Sequence, residues 1–114
     1  MDASLTLPLD RPAATRIARQ VVGRLGWSLS EGPDGRLDVA EDPARLHCHC
    51  SPLHARLTLA GLEGSTTLSI AAEVPGWGPI ATEHVRRQAD LLARQIGLAA
   101  SSAAGRASRA EEGA

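Results

Sequence analysis

The sequence predicts an α+β fold: a strand, a helix, a five-strand antiparallel meander and a closing helix, with both helices on one face of the sheet. Three observations predict it. First, the stretch from Arg45 to Ile70 alternates: Arg45-Leu46-His47-Cys48-His49-Cys50, Ala55-Arg56-Leu57-Thr58-Leu59 and Thr67-Leu68-Ser69-Ile70-Ala71 each place an apolar residue at every second position, as a sheet buried on one side requires. Second, two segments near the ends of the chain carry apolar residues at helical spacing. Third, the turns between the strands can all be set so that the apolar residues share one face.

In order, Ser4-Leu5-Thr6-Leu7-Pro8-Leu9 alternates and forms the first strand, which Pro8 assigns to an edge or to its own end. Asp10 is a helix N-cap with Pro12 in the first turn. Ala14, Ile17, Ala18, Val21 and Leu25 then make an apolar stripe opposite Arg16, Arg19 and Arg24, and Gly26 closes the helix. Trp27 to Glu31 is the next strand. The turn Gly32-Pro33-Asp34-Gly35 predicts a three-residue loop with a glycine bulge, which sets Leu29 opposite Val39. A two-residue loop would put the two apolar sets on opposite faces.

Glu41-Asp42-Pro43-Ala44 is read as a turn that pairs Val39 with Leu46. Ser51-Pro52 is read as one that pairs His49 with His54 and Leu46 with Leu57, and Gly61 to Gly64 as one that pairs Leu57 with Leu68. The expected inner face is Trp27, Leu29, Leu37, Val39, Leu46, Cys48, Leu57, Leu59, Leu68, Ile70 and Ala72. His47, His49, His54, Arg56, Thr58, Thr67 and Ser69 face outward. Pro75-Gly76-Trp77-Gly78-Pro79 leads into the closing helix from Ile80 to about Ile96, with Ala81, Val85, Ala89, Leu92 and Ile96 as its stripe and Gly97 as its stop. Residues 1–98 are expected to be one domain. Residues 99–114 offer little to bury and are expected to be a disordered tail.

Composition narrows the function classes. The chain has 114 residues and a net charge of -1, and its pI is near 6.4. A nucleic-acid module would concentrate basic charge on one face. No apolar run approaches the roughly 20 residues that cross a bilayer, and Met1-Asp2-Ala3-Ser4 does not open a secretory signal. Cys48 and Cys50 sit two apart on one expected strand, with Cα atoms about 6.6 Å apart and parallel Cβ vectors. This geometry disfavours a mutual disulfide, so reduced thiols and a cytoplasmic location are expected. Lacking Phe and Tyr, the chain must fill its interior with Leu, Ile, Val and Ala.

This order of elements resembles the helix-grip (TBP-like) fold of the START/polyketide-cyclase/Bet v 1-like (SRPBCC) superfamily, in a compact version. The likeness covers roughly Leu5 to Leu98. It rests on the opening Leu-Thr-Leu-Pro-Leu-Asp-Arg-Pro-Ala and on Val-Pro-Gly-Trp-Gly-Pro-Ile-Ala ahead of the last helix. The resemblance implies a long helix lying across a curved sheet, with a space between them that holds a small apolar molecule. By position, Leu37, Val39, Leu46, Cys48, Leu57, Leu68 and Ile70 of the sheet would line that space with His84, Val85, Ala89 and Leu92 of the helix. Two features depart from the family. A second early helix and at least one strand are missing, and so are the polar or aromatic cavity residues of cyclase-like members.

The chemistry-bearing residues have competing readings. His47, His49 and His54 share the expected outer face, with His49 and His54 opposed at a Cβ separation of about 5 Å. Three such imidazoles can hold Zn²⁺ or Cu²⁺, yet their spacing matches no established ligand signature, and a solvated polar face explains them as well. Cys48 and Cys50 are read as small inner-face residues rather than a chelate. His84 flanks the helix stripe, either as a polar handle in the ligand space or as a boundary histidine. Trp77 either gates a cavity mouth or packs the helix entry. No nucleophile–base pair, phosphate-binding loop or paired carboxylates appear in the sequence, which points away from an enzyme and to no cofactor. The expectation is a non-catalytic binding domain for a small apolar molecule, without nucleic-acid or membrane partners. The alternative is a homodimeric interaction or chaperone-like module that uses the outer face or an edge strand.

Overall fold

A computed structural model describes residues 2–32, 35–42, 53–62, 64–73 and 79–112. Its elements are β1 (Asp2–Leu7), α1 (Arg11–Leu25), β2 (Ser28–Glu31), β3 (Leu37–Ala40), β4 (His54–Leu62), β5 (Ser65–Glu73) and α2 (Pro79–Glu112). The strands form a single antiparallel sheet in the order β1-β5-β4-β3-β2. The α+β architecture expected from the sequence is therefore present, with both helices packed on the apolar side of the sheet.

Helix α1 has the ends its sequence specifies. Asp10 Oδ1 accepts a hydrogen bond from the Ala13 N–H at 3.0 Å, satisfying a donor that the first helical turn leaves orphaned. At the other end Gly26 adopts φ 78°. Its N–H donates to Gly23 O and the Trp27 N–H donates to Val22 O, each at 3.1 Å. This paired closure needs a left-handed residue, which glycine supplies without a Cβ clash. β1 ends immediately before Pro8, whose missing N–H prevents it from extending the ladder. The Thr66 hydroxyl, fully buried, donates to Leu9 O at 2.9 Å and ties the start of α1 to β5.

The β2–β3 hairpin has the expected register. Leu29 pairs with Val39, the Gly32 N–H donates to Arg36 O at 2.7 Å, and Gly35 takes φ 76°. The β4–β5 hairpin differs from expectation. Leu57 pairs with Ile70, and Leu59 with Leu68, a slip of two residues. The ladder runs on to Leu62 and Ser65, and Gly64, at φ 75°, lies in the turn. Because side chains alternate with period two, this slip leaves every residue on its expected face.

A larger correction concerns residues 45–50. The sequence reading inserts them as a strand between Val39 and Leu57, but β3 pairs directly with β4, Leu37 to Leu57 and Ala40 to His54. β4 has β3 on one side and β5 on the other, so both of its ladders are occupied and no slot remains between β3 and β4. Residues 45–50 themselves lie outside the described residues, as does Trp77.

The closing helix also differs. It continues to Glu112, through the segment expected to be a disordered tail. At about 1.5 Å per residue, its 34 residues account for the 54 Å long axis of the chain. Gly97 does not stop it. A Cβ there would lie 3.3 Å from Leu5 Cδ1, so this glycine lets α2 pass close over β1. Beyond it Ala100 is buried and Ala103 packs against the core, while alanine's high helix propensity favours continuation.

The core lies between the sheet and the two helices, and its hydrophobic residues are at most 8% exposed. α1 packs over β4 and β2, and α2 over β1 and β5, with the helices also touching each other. Ala14, Ala18, Ala89 and Ala100 are among the buried helix residues, and such short side chains permit close approach of backbones. Among the described residues, no helix is long and apolar enough to cross a membrane.

Candidate functional site

The expected ligand-lining residues come together. Leu37, Val39, Leu57, Leu68 and Ile70 from the sheet join Val85, Ala89 and Leu92 from α2 in a single buried cluster. Leu46 and Cys48, expected beside them, lie outside the described residues. Burial of this set removes its apolar surface from water, the dominant favourable term in folding. The residues therefore serve as core, and a molecule reaches them only by entering that layer.

His84 is the polar member of the set. It stands in the second turn of α2 and is 21% exposed. Its Nε2 lies 2.7 Å from Oε1 of Glu41, a residue only 8% exposed. Glu41 follows directly on β3, and its backbone N–H donates to Leu53 O at 3.0 Å. The Leu53 N–H in turn donates to Glu41 Oε1, also at 3.0 Å. One carboxylate oxygen therefore takes a backbone donor from the residue ahead of β4 and an imidazole from α2. A buried carboxylate is costly unless hydrogen-bonded, and these two bonds meet that condition.

Sequence reasoning found His84 but missed both of its partners. Glu41-Asp42-Pro43-Ala44 has the composition of an exposed turn, and Leu53, which directly follows the expected Ser51-Pro52 turn and has no role in the sequence reading, is completely buried. The only available signal is the apolar Leu53 beside the alternating β4 pattern. Nothing in the local sequence marks Glu41 as buried.

The imidazole group proposed on the outer face does not form as expected. His54 is exposed on that face, but across the sheet it is paired with Ala40 on one side and Glu73 on the other. Its opposition to His49 required the strand order corrected above. His47, His49 and Cys50 lie outside the described residues. Among the described residues, no group of three or more His, Cys, Asp or Glu side chains is placed to hold a metal ion. The outer face does carry an open hollow of about 320 Å³, lined in part by Asp2, Asp38, His54, Arg56 and Glu73. Arg36 and Arg56 both approach Asp38 there, at 3.5 and 3.6 Å. These exposed pairs of opposite charge partly neutralise the hollow.

No protein-family model matches the chain, and no curated protein matches its sequence. In structure it is similar to a START superfamily protein from Mycobacterium smegmatis, at 13% identity and a TM-score of 0.56, over 90% of this chain and 97% of that one. It is also similar to Ara h 8.0201, at 10% identity and a TM-score of 0.47, over 90% of this chain and 97% of that one. At such identities the first likeness speaks for architecture. Together with the strand order and the long helix laid against the sheet, it shows that this chain has a START-like helix-grip fold.

Proposed function

We propose that the chain is a small non-catalytic binding domain that takes an apolar molecule between the sheet and α2. The observation that carries this reading is the clustering of the one-sided sheet residues with Val85, Ala89 and Leu92 in a wholly aliphatic layer, with one polar pair, Glu41 and His84, beside it. A sheet face of leucine, isoleucine and valine gives apolar contact without chemistry. The resemblance to helix-grip proteins supports the same placement.

Native mass spectrometry of the freshly purified full chain, as wild type and as Ala89→Phe, tests this. The expected result is a wild-type population carrying the added mass of a small molecule, lost in Ala89→Phe because the ring occupies the layer. Bare chain alone in both spectra would overturn the proposal. Among the described residues, β1 and β2 are the edge strands of the sheet, each paired on one side, which supports the dimeric alternative. A doubled mass without any small-molecule adduct would favour it.

A further inference from the structure

Helix α1 carries Arg11, Arg16, Arg19 and Arg24 without an acidic residue, a concentration that the net charge of -1 conceals. Several arginines of the chain meet an acid: Arg19 meets Glu31, Arg36 and Arg56 meet Asp38, and Arg86 and Arg87 meet Glu83. Arg24 is placed differently. With Gln20 it lines a surface groove of about 270 Å³ between α1 and α2, whose other wall includes Gln95, Leu98, Ser102 and Arg106. These α2 residues follow one another at intervals of three and four, so they form a single stripe, and Gln20 and Arg24 are spaced alike on α1.

Two features of this groove point to a ligand. Its lining contains no carboxylate, and among the described residues neither Arg24 nor Arg106 has an ion-pair partner. Beside them Leu98, 61% exposed, is the one large hydrophobic residue left open to solvent among those described. The helix dipole gives Arg24, in the last turn of α1, a structural role. It explains neither Arg106 nor an uncovered leucine on the same groove.

Two guanidinium forks, with side-chain amides and a hydroxyl around them, match an oxyanion that has several acceptor oxygens. Two fixed positive charges are met more fully by a phosphate monoester, at about −1.5 to −2 near neutral pH, than by a carboxylate. Leu98 matches a hydrocarbon body. At about 30 Å³ for a water-sized volume, the groove has room for roughly ten non-hydrogen atoms, enough for a phosphate and one small ring. We infer that the α1–α2 groove binds a small phosphate monoester, with its phosphate on Arg24 and Arg106 and its apolar body on Leu98. None of the residues expected to line the ligand space belongs to this groove, so the site stands apart from the function proposed above.

Calorimetric titration of the full chain at low ionic strength tests this with phenyl phosphate, inorganic phosphate and benzyl alcohol, in the wild type and in Arg24→Gln, Arg106→Gln, Leu98→Ser and Arg16→Gln. The substituted residues are all exposed, and unchanged urea midpoints verify that each variant folds. Phenyl phosphate is expected to bind with one-to-one stoichiometry and more tightly than inorganic phosphate, while benzyl alcohol gives no binding heat. Arg24→Gln and Arg106→Gln should each weaken phenyl phosphate about fivefold. Leu98→Ser should cancel its advantage over inorganic phosphate. Arg16→Gln removes the same charge outside the groove and should leave binding nearly unchanged. Absence of phenyl phosphate binding, equal affinity for inorganic phosphate or benzyl alcohol, or equal weakening by Arg16→Gln would each overturn the site. A chain that ignores phenyl phosphate yet floats with phosphatidylserine vesicles would overturn it in favour of a lipid surface.

Discussion

Replacing Glu41 with leucine removes the acceptor that joins β3, the residue ahead of β4 and α2. The cost can be worked from its two bonds. The Leu53 N–H, on a residue with no solvent exposure, loses its partner and carries a desolvation penalty of about 1–3 kcal/mol. His84, at 21% exposure, can turn Nε2 partly to water, so its loss is smaller, about 0.5–1 kcal/mol. Relief of a buried carboxylate offsets part of this. The net expectation for Glu41→Leu is about 2 kcal/mol, or roughly 8 °C in Tm for a chain of this size. His84→Leu leaves the Leu53 bond intact and should cost about 1–1.5 kcal/mol.

The double variant decides the matter. Once Glu41 is gone, His84 has nothing left to hold, so the two losses should fall short of additivity by about 1 kcal/mol. Urea unfolding followed by far-UV circular dichroism measures all four proteins, and an unchanged m-value confirms that the same surface is exposed in each. Additivity within about 0.3 kcal/mol would refute a direct Glu41–His84 interaction.

Three further outcomes follow from the same geometry. Leu57→Ala, in the central strand and fully buried, should lose about 3–4 kcal/mol in urea unfolding, whereas a loss below about 1 kcal/mol would mean the core closes over the deletion. Gly26→Ala forces a side chain into φ 78° and should cost about 1–2 kcal/mol, visible as a lower midpoint with unchanged helix content at low denaturant. The Glu83 carboxyl is held below the usual carboxylate range chiefly by its hydrogen bond from Arg86, with the charges of Arg86 and Arg87 adding to it. Its folded value being depressed, its contribution is present above the unfolded value and disappears as pH falls through the folded one. The small stability advantage of wild type over Glu83→Gln should therefore shrink on acidification, and more salt should weaken it further. An advantage that does not change with pH would contradict this assignment.

Much of the fold is legible in the chain because it rests on local rules. Asp10 and Gly26 bound α1 through capping that reaches only three to five residues. The β2–β3 register follows from one glycine in a short loop. Face assignment survives even a two-residue slip, as β4 and β5 show, because parity is a property of each strand alone. The buried set of Leu37, Val39, Leu57, Leu68, Ile70, Val85, Ala89 and Leu92 was accordingly named without coordinates.

Other features depend on what meets what across the chain. Alternation in residues 45–50 predicts a strand between β3 and β4, but β3 pairs directly with β4 and leaves no ladder free between them. Gly97 has the composition of a helix stop, yet the approach of Leu5 makes it a packing site within a longer helix. Glu41 sits in a turn-like sequence and is buried only because Leu53 and His84, 12 and 43 residues away, bring donors to it. The alternation and caps of this sequence determined its layers and its apolar face. The tertiary structure alone decided strand order and the buried carboxylate–imidazole pair, since both depend on partners distant in sequence.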